Sequence, residues 1–131
     1  MKKQASNERA NITRLRRLLN KQPLTKFPPP RGRLTAPFEQ CVYVIRDSKR
    51  AVVHVGRTLR GNKGLRQRLN DHLAGQSSFV KSFLHGEGKR LRDGYTYQCL
   101  AVPDARARAL LESCAVAWHC PAHLGLGEGK L

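Results

Sequence analysis

Acidic residues are scarce in this chain: nine Asp and Glu stand against 25 Lys and Arg, a formal charge of +16 over 131 residues. Self-repulsion of that size serves no fold. It points to polyanionic partners, either a phosphate polymer or an anionic surface. Long apolar runs are missing too. No stretch approaches the ~20 residues that span a bilayer, and the opening MKKQASNERANITRLRR has no apolar segment of the kind a secretory leader carries. No membrane partner is expected, and the chain is read as cytoplasmic, where thiols stay reduced. Its four cysteines, Cys41, Cys99, Cys114 and Cys120, are then expected as small buried apolar side chains rather than a disulfide framework. Aromatics are sparse, with one Trp, three Tyr and four Phe. They form no base-stacking row, so single-stranded and duplex nucleic acid are not distinguished.

What is present divides into two parts. Residues 1–39 form a basic N-terminal helix or arm with a Pro-rich connector. Ile12, Leu15, Leu18 and Leu19 recur at helical spacing with Arg14, Arg16 and Arg17 between them, which predicts an amphipathic helix over about 7–20. PPPRGR at 28–33 is a stiff connector. This segment is read as a solvated tail, as an arm that orders on nucleic acid, or as a helix docked on the core. Residues 40–131 are compact. CVYVIR (41–46) and AVVHV (51–55) are β-rich runs around the turn DSKR, an expected antiparallel hairpin. GRTLRGNKG follows as a cationic loop. LRQRLNDHLA (65–74) places Leu65, Leu69 and Leu73 on one helical stripe. SSFVKSFL (77–84) predicts a short serine-capped helix, and HGEGKRLRDG a basic loop. YTYQCLAV (95–102) predicts a third strand. A last helix starts at an Asp104 cap and stops near Cys120, before Pro121. The expected class is α+β, a small three-stranded antiparallel sheet flanked by helices in the order β-β-α-(α)-β-α.

Several reactive side chains then fall into place. His54 interrupts a valine strand and is followed at once by Gly56 and Arg57. A hairpin turning at 47–50 brings Tyr43 and His54 close to opposite each other. Arg68 and His72, four apart, share a face beside the leucine stripe. Glu112 is the one charge between Ala109 and Trp118, and a carboxylate among apolar neighbours must reach solvent, pair with a cation or bind a metal.

This set resembles the GIY-YIG nuclease domain over about two-thirds of the chain, residues 40–125. The first strand of that family carries Gly-Ile-Tyr or a variant, here CVY at 41–43. The second carries Tyr-Ile-Gly or Tyr-Val-Gly, here HVG at 54–56. A helix carries Arg and, four residues on, His or Tyr, here Arg68 and His72. A later helix carries a metal-binding Glu, here Glu112. Cys41 replaces the family's first glycine and His54 its second tyrosine. The asparagine usual in the C-terminal segment is absent, with His123 near its expected place.

The resemblance implies metal-dependent hydrolysis of phosphodiester bonds in DNA. Glu112 would hold one Mg²⁺ or Mn²⁺, a hard cation suited to a carboxylate, phosphate and water. Arg57 and Arg68 would clamp the phosphate. Tyr43 would be the general base, its pKa lowered from ~10 by nearby cations, and His54, which titrates near ~6.5, would assist or replace it. His72 would position a phosphate or the water. Arg57, Arg60, Lys63, Arg66, Arg68 and Lys81 are the expected nucleic-acid contacts, with Ser77 and Ser78 as further candidates. Gly56 is expected to let the chain turn out of its strand. Two other readings stand beside this one. The first is a catalytically degenerate, non-enzymatic DNA-binding module. The second is a small zinc protein built on Cys114, His119, Cys120 and His123, whose spacing is not a standard zinc pattern.

Overall fold

The computed structural model describes residues 2–59, 61 and 63–124. Helix α1 (Lys2–Asn20) leads into a two-residue strand β1 (Thr25–Lys26). The hairpin β2 (Cys41–Arg46) and β3 (Val52–Arg57) follows, then helices α2 (Gly64–Leu73) and α3 (Ser78–Phe83), a 3₁₀ turn at Gly88–Arg92, strand β4 (Thr96–Ala101) and helix α4 (Ala105–His119). The class is α+β, but the antiparallel sheet has four strands, not three, in the order β1-β4-β2-β3. The extra strand pairs only Thr25 with Tyr97 and Lys26 with Thr96. Two exposed residues before a proline run leave no alternation to read.

Helices cover both faces of the sheet. One core joins Cys41, Tyr43, Ile45 and Tyr97 to Leu65, Leu69, Phe79 and Val80 of α2 and α3. The other joins Val42, Val44 and Val55 to Leu19, Leu111 and Ala115 of α1 and α4. Strand β2 is therefore buried on both sides, which is why CVYVI is an unbroken apolar run instead of an alternating one. Helix α1 is the docked element among the three readings of the N-terminal segment. Leu19 is wholly buried. Glu8 meets Arg106 at 2.8 Å, and His119 Nε2 lies 2.9 Å from Asn20 Oδ1, so α1 and α4 run side by side in the same direction. The Gln98 amide donates to the carbonyls of Asn20 and Gln22, tying the end of α1 to β4.

The hairpin register differs from the expected one. Tyr43 pairs with Gly56 and His54 with Ile45, with an irregularity between Ile45 and Arg46 that takes up one extra residue. Val53 therefore joins the core on the His54 side while Val52 packs with Val55, the reverse of simple alternation. The connector before β2 also does structural work. The carbonyls of Glu39 and Pro37 accept the N–H groups of Leu65 and Arg66, capping α2. Gly64, at φ +41, sits against the backbone of Phe38 and Glu39, where a Cβ would collide. The caps at Ser77 and Asp104 are as expected: their side chains accept from Val80 N and Ala107 N. Helix α4 ends at Cys120 in the left-handed conformation. The chain then runs along the start of β3, where Ala122 N and His123 N donate to Val52 O and Val53 O. No described helix is long and apolar enough to cross a membrane.

Candidate active site

The far end of β3, Gly56–Arg57, opens onto a cleft of about 670 Å³ between β3, α2 and α4. Arg57 and Thr58 enter it from β3 and the loop after it, Lys63, Gln67, Arg68 and Asp71 from the start and body of α2, and Glu112 from α4. Arg57 Nη1 lies 2.6 Å from Glu112 Oε1, both side chains about three-quarters covered or slightly less (31% and 25% exposed). Sequence spacing alone places Arg57, Arg68 and Glu112 on three separate elements; the fold brings them together.

Beneath the cleft lies a chain of hydrogen bonds. Tyr43 Oη accepts from Arg68 Nε at 3.2 Å and lies 2.7 Å from His72 Nε2. His72 Nδ1 lies 2.6 Å from Ser77 Oγ. Tyr43 and His72 are both fully buried. This corrects two expectations. Burial pushes the Tyr43 pKa up to about 12, against the pull of the Arg68 guanidinium, where a lowered value was expected. His72 reaches no solvent at which to hold a phosphate; it braces Tyr43 instead.

His54 lies on the same sheet face. Its ring centroid is 5.9 Å from that of Tyr43, with no hydrogen bond between the two, so it is not placed as a direct assistant. It stacks on Phe79 at 4.5 Å and meets His123 Nδ1-to-Nδ1 at 3.3 Å. One ring of such a pair must carry the proton and the other accept it. His123 thus reaches the site from the segment where the resemblance expects asparagine. Burial drives the His54 pKa down to about 3 and that of His72 to about 2, so both imidazoles are neutral.

The remaining expected contacts divide. Lys63 lines the cleft. Arg66 does not: its Nε donates to Ala36 O and its guanidinium lies 4.0 Å over the Phe38 ring. Lys81 is exposed on α3, away from the cleft lining. Arg60 lies outside the described residues. Ser77, a candidate phosphate contact, is buried behind His72. Cys41 is buried as expected, but Cys99 and Cys114 are only half-buried and Cys120 is exposed. Among the described residues no three His, Cys, Asp or Glu side chains could hold a metal together, so the zinc grouping of Cys114, His119, Cys120 and His123 does not form.

The sequence reading missed Arg108, one helical turn before Glu112. It is buried, and its guanidinium donates to the carbonyls of Thr58, Leu59, Val102 and Pro103. It anchors the backbone that leaves β3 at the lip of the cleft. The repeat ARAR gave little signal: Arg106, two residues earlier, is exposed and pairs with Glu8, and nothing in the spacing says which of the two arginines is buried. Asp71 and Gln67 were missed because nothing in their spacing separates them from a solvated helix face.

Comparison with known proteins adds no relative: no family model matches this chain, and neither does any curated protein or solved structure.

Proposed function

We propose that this protein is a metal-dependent endonuclease that hydrolyses phosphodiester bonds of DNA. The observation that carries the reading is the convergence of Arg57, Lys63, Arg68 and Glu112 in one cleft directly over Tyr43. The GIY-YIG resemblance supports the same assignment, and the +16 charge supports a polyanionic substrate.

The donor set fits a hard divalent cation. Glu112 offers carboxylate oxygens inside the cleft and already holds a cationic partner, the Arg57 guanidinium, at 2.6 Å. Glu112 would hold Mg²⁺ or Mn²⁺, which would supply Lewis-acid polarisation of a phosphoryl oxygen. The chain's own residues do the rest. Arg57 and Lys63 bind the phosphate. Arg68, now hydrogen-bonded to Tyr43, neutralises charge that develops on the phosphoryl oxygens. The same hydrogen bond opposes the rise in the Tyr43 pKa: Tyr43 would take the proton of the attacking water as a phenolate, after its own proton has passed to solvent in the cleft. His72 holds the Tyr43 ring in place from below.

A specific observation favours a second reading. Tyr43 is wholly buried and Glu112 is already paired, which also suits a DNA-binding module without catalysis. Cleavage of labelled single-stranded, duplex and branched DNA at low salt separates the two. The expected result is cleavage by wild type in Mg²⁺ or Mn²⁺ and none in EDTA. Glu112→Gln is expected to lose about 10³-fold in rate, as removal of several kcal/mol of charge stabilisation predicts, with DNA affinity within about threefold of wild type. Tight binding with no cleavage on any substrate selects the binding module.

The Arg57–Glu112 pair makes a further prediction. In the absence of DNA the guanidinium competes with a divalent cation for the same carboxylate. Arg57→Gln is expected to tighten Mn²⁺ binding to the free protein by about fivefold, the equivalent of a partly exposed ion pair. The electron paramagnetic resonance signal of unbound Mn²⁺ measures this directly. Equal affinity in the two proteins means that the pair does not guard the site.

A further inference from the structure

We propose that Leu59 is a wedge that enters the base stack of duplex DNA beside the phosphate held by Arg57. The inference deepens the reading of the cleft as a DNA site and rests on it.

A lone exposed leucine is ordinary on a protein surface. Leu59 stands in the cleft instead. At 69% exposure it is the most exposed large apolar side chain among the described residues. It is also the one large apolar side chain in the cleft lining, which is otherwise charged, polar or glycine. Phosphate and cation chemistry has no use for an isobutyl group. In a nucleic acid the broad apolar surfaces are the faces of the bases, and contact with them is what such a group can supply.

The main chain under Leu59 is fixed from three sides. Thr58 is buried and clasped to the start of β2: its N–H donates to Cys41 O and its Oγ1 accepts from Cys41 N, each at 3.0 Å. Arg108 donates from Nε to Thr58 O at 2.9 Å and from Nη2 to Leu59 O at 3.1 Å, and its Nη1 bonds the carbonyls of Val102 and Pro103. Gln40 Nε2 donates to Gly61 O at 2.7 Å, holding the loop just beyond. Arg108 is 5% exposed and belongs to no ion pair among the described residues. Withdrawing a cation from water without a carboxylate is costly. Two of the four carbonyls it secures are those of Thr58 and Leu59. A side chain on a backbone held in this way loses little freedom when it inserts.

The spacing fits insertion beside the bound phosphate. Leu59 follows Arg57 by two residues, so their Cα atoms lie at most about 7 Å apart. Successive bases of a strand rise about 3.4 Å, which puts Leu59 within about two base steps of a phosphate on Arg57. In a duplex the bases are stacked and offer only their edges, so a leucine at that depth is covered when one step opens to admit it. An aliphatic side chain suits this role better than it suits a platform for loose bases, which aromatic rings provide. Among the described residues the cleft lining has no aromatic ring. Opening is easiest at pyrimidine–purine steps, so TA and CA steps are the favoured positions.

The test reads base unstacking in the full-length protein. A duplex of about 20 base pairs carries 2-aminopurine at a central TA step, the kind that opens most readily. Protein is added to saturation in EDTA, with binding followed by fluorescence anisotropy of a second label. Wild type is expected to raise 2-aminopurine fluorescence about threefold, as partial unstacking of one step predicts. Leu59→Met, which keeps an apolar side chain of similar length, is expected to do the same. Leu59→Ser is expected to give no rise on an equally saturated duplex. No rise with wild type on a bound duplex, or equal signals from the methionine and serine variants, overturns the proposal. Binding of single-stranded DNA without binding of the duplex also overturns the wedge and leaves the hydrolase reading standing. A rise that depends on Leu59, in a protein that cleaves no DNA in Mg²⁺ or Mn²⁺, supports the wedge and overturns the hydrolase reading alone. A protein that binds neither form of DNA overturns both.

Discussion

Gly56→Ala is expected to destabilise the fold by about 3–5 kcal/mol and to remove activity together with stability. A Cβ at position 56 would lie 2.5 Å from Tyr43 Oη and 2.6 Å from Cζ, distances that real Cβ atoms do not show. Tyr43 pairs directly with Gly56 across the hairpin, so neither strand can shift without its partner. The ring cannot move away freely, because Oη is held by His72 and Arg68 and the side chain is buried on all sides. Overpacking a core costs about 1–3 kcal/mol, and freeing the buried hydroxyl from a charged donor adds about 1.5–3 kcal/mol. Chemical denaturation of Gly56→Ala, Tyr43→Ala and the double variant measures this. In the Tyr43→Ala background the alanine at 56 is expected to cost under 1 kcal/mol. A full cost in both backgrounds would mean that Tyr43 is not what Gly56 accommodates.

The same glycine shows where the sequence was legible and where it was not. That position 56 had to be glycine could be read from HVG; the reason could not. The expected reason was a turn out of the strand, but β3 runs on through Arg57 and the glycine makes room for a ring on the neighbouring strand. Periodicity and capping carried most of the elements. The leucines of α2, the serine cap of α3 and the aspartate cap of α4 each rest on local chemistry that a few residues specify. The strand β1 escaped because its partner, β4, lies far along the chain, and the hairpin register escaped because one residue of β3 is taken up by the irregularity opposite Ile45 and Arg46. The site divides in the same way. Arg57, Arg68 and Glu112 were legible as residue types suited to phosphate and cation. The burial of Tyr43 was not, because it is made by His54, His72, Arg68 and Gly56 together, and each of these has an ordinary local explanation. Ser77 was legible as a cap, and its second hydrogen bond, to His72, required the packing of α3 against α2.

The buried imidazoles make acid the condition to which this fold is most exposed. His54 and His72 titrate near ~6.5 in an unfolded chain. In the fold burial holds them at about 3 and about 2, with His123 and His54 as charge neighbours and Arg68 facing both. Above pH 6.5 both states are neutral and the pair contributes no pH dependence. As the pH falls below 6.5 the unfolded chain takes up protons that the fold excludes. Stability then drops by about 1.4 kcal/mol per pH unit for each histidine until the folded pKa is reached. Over the two units down to pH 4.5 the pair costs about 5 kcal/mol, the lower bound of the whole stability of a typical domain. Carboxylate titration is mostly confined to lower pH, and protonation adds to a chain already at +16. Wild type is therefore expected to unfold cooperatively between about pH 5.5 and 4, followed by circular dichroism at fixed denaturant. His54→Phe is expected to halve the slope of stability against pH between 6.5 and 4.5, because the ring it replaces already stacks on Phe79 at 4.5 Å and the phenyl cannot take a proton. A slope unchanged by that substitution would mean that His54 does not enter the fold as a neutral ring, and the packing of His54, Phe79 and His123 would then have to tolerate a buried cation.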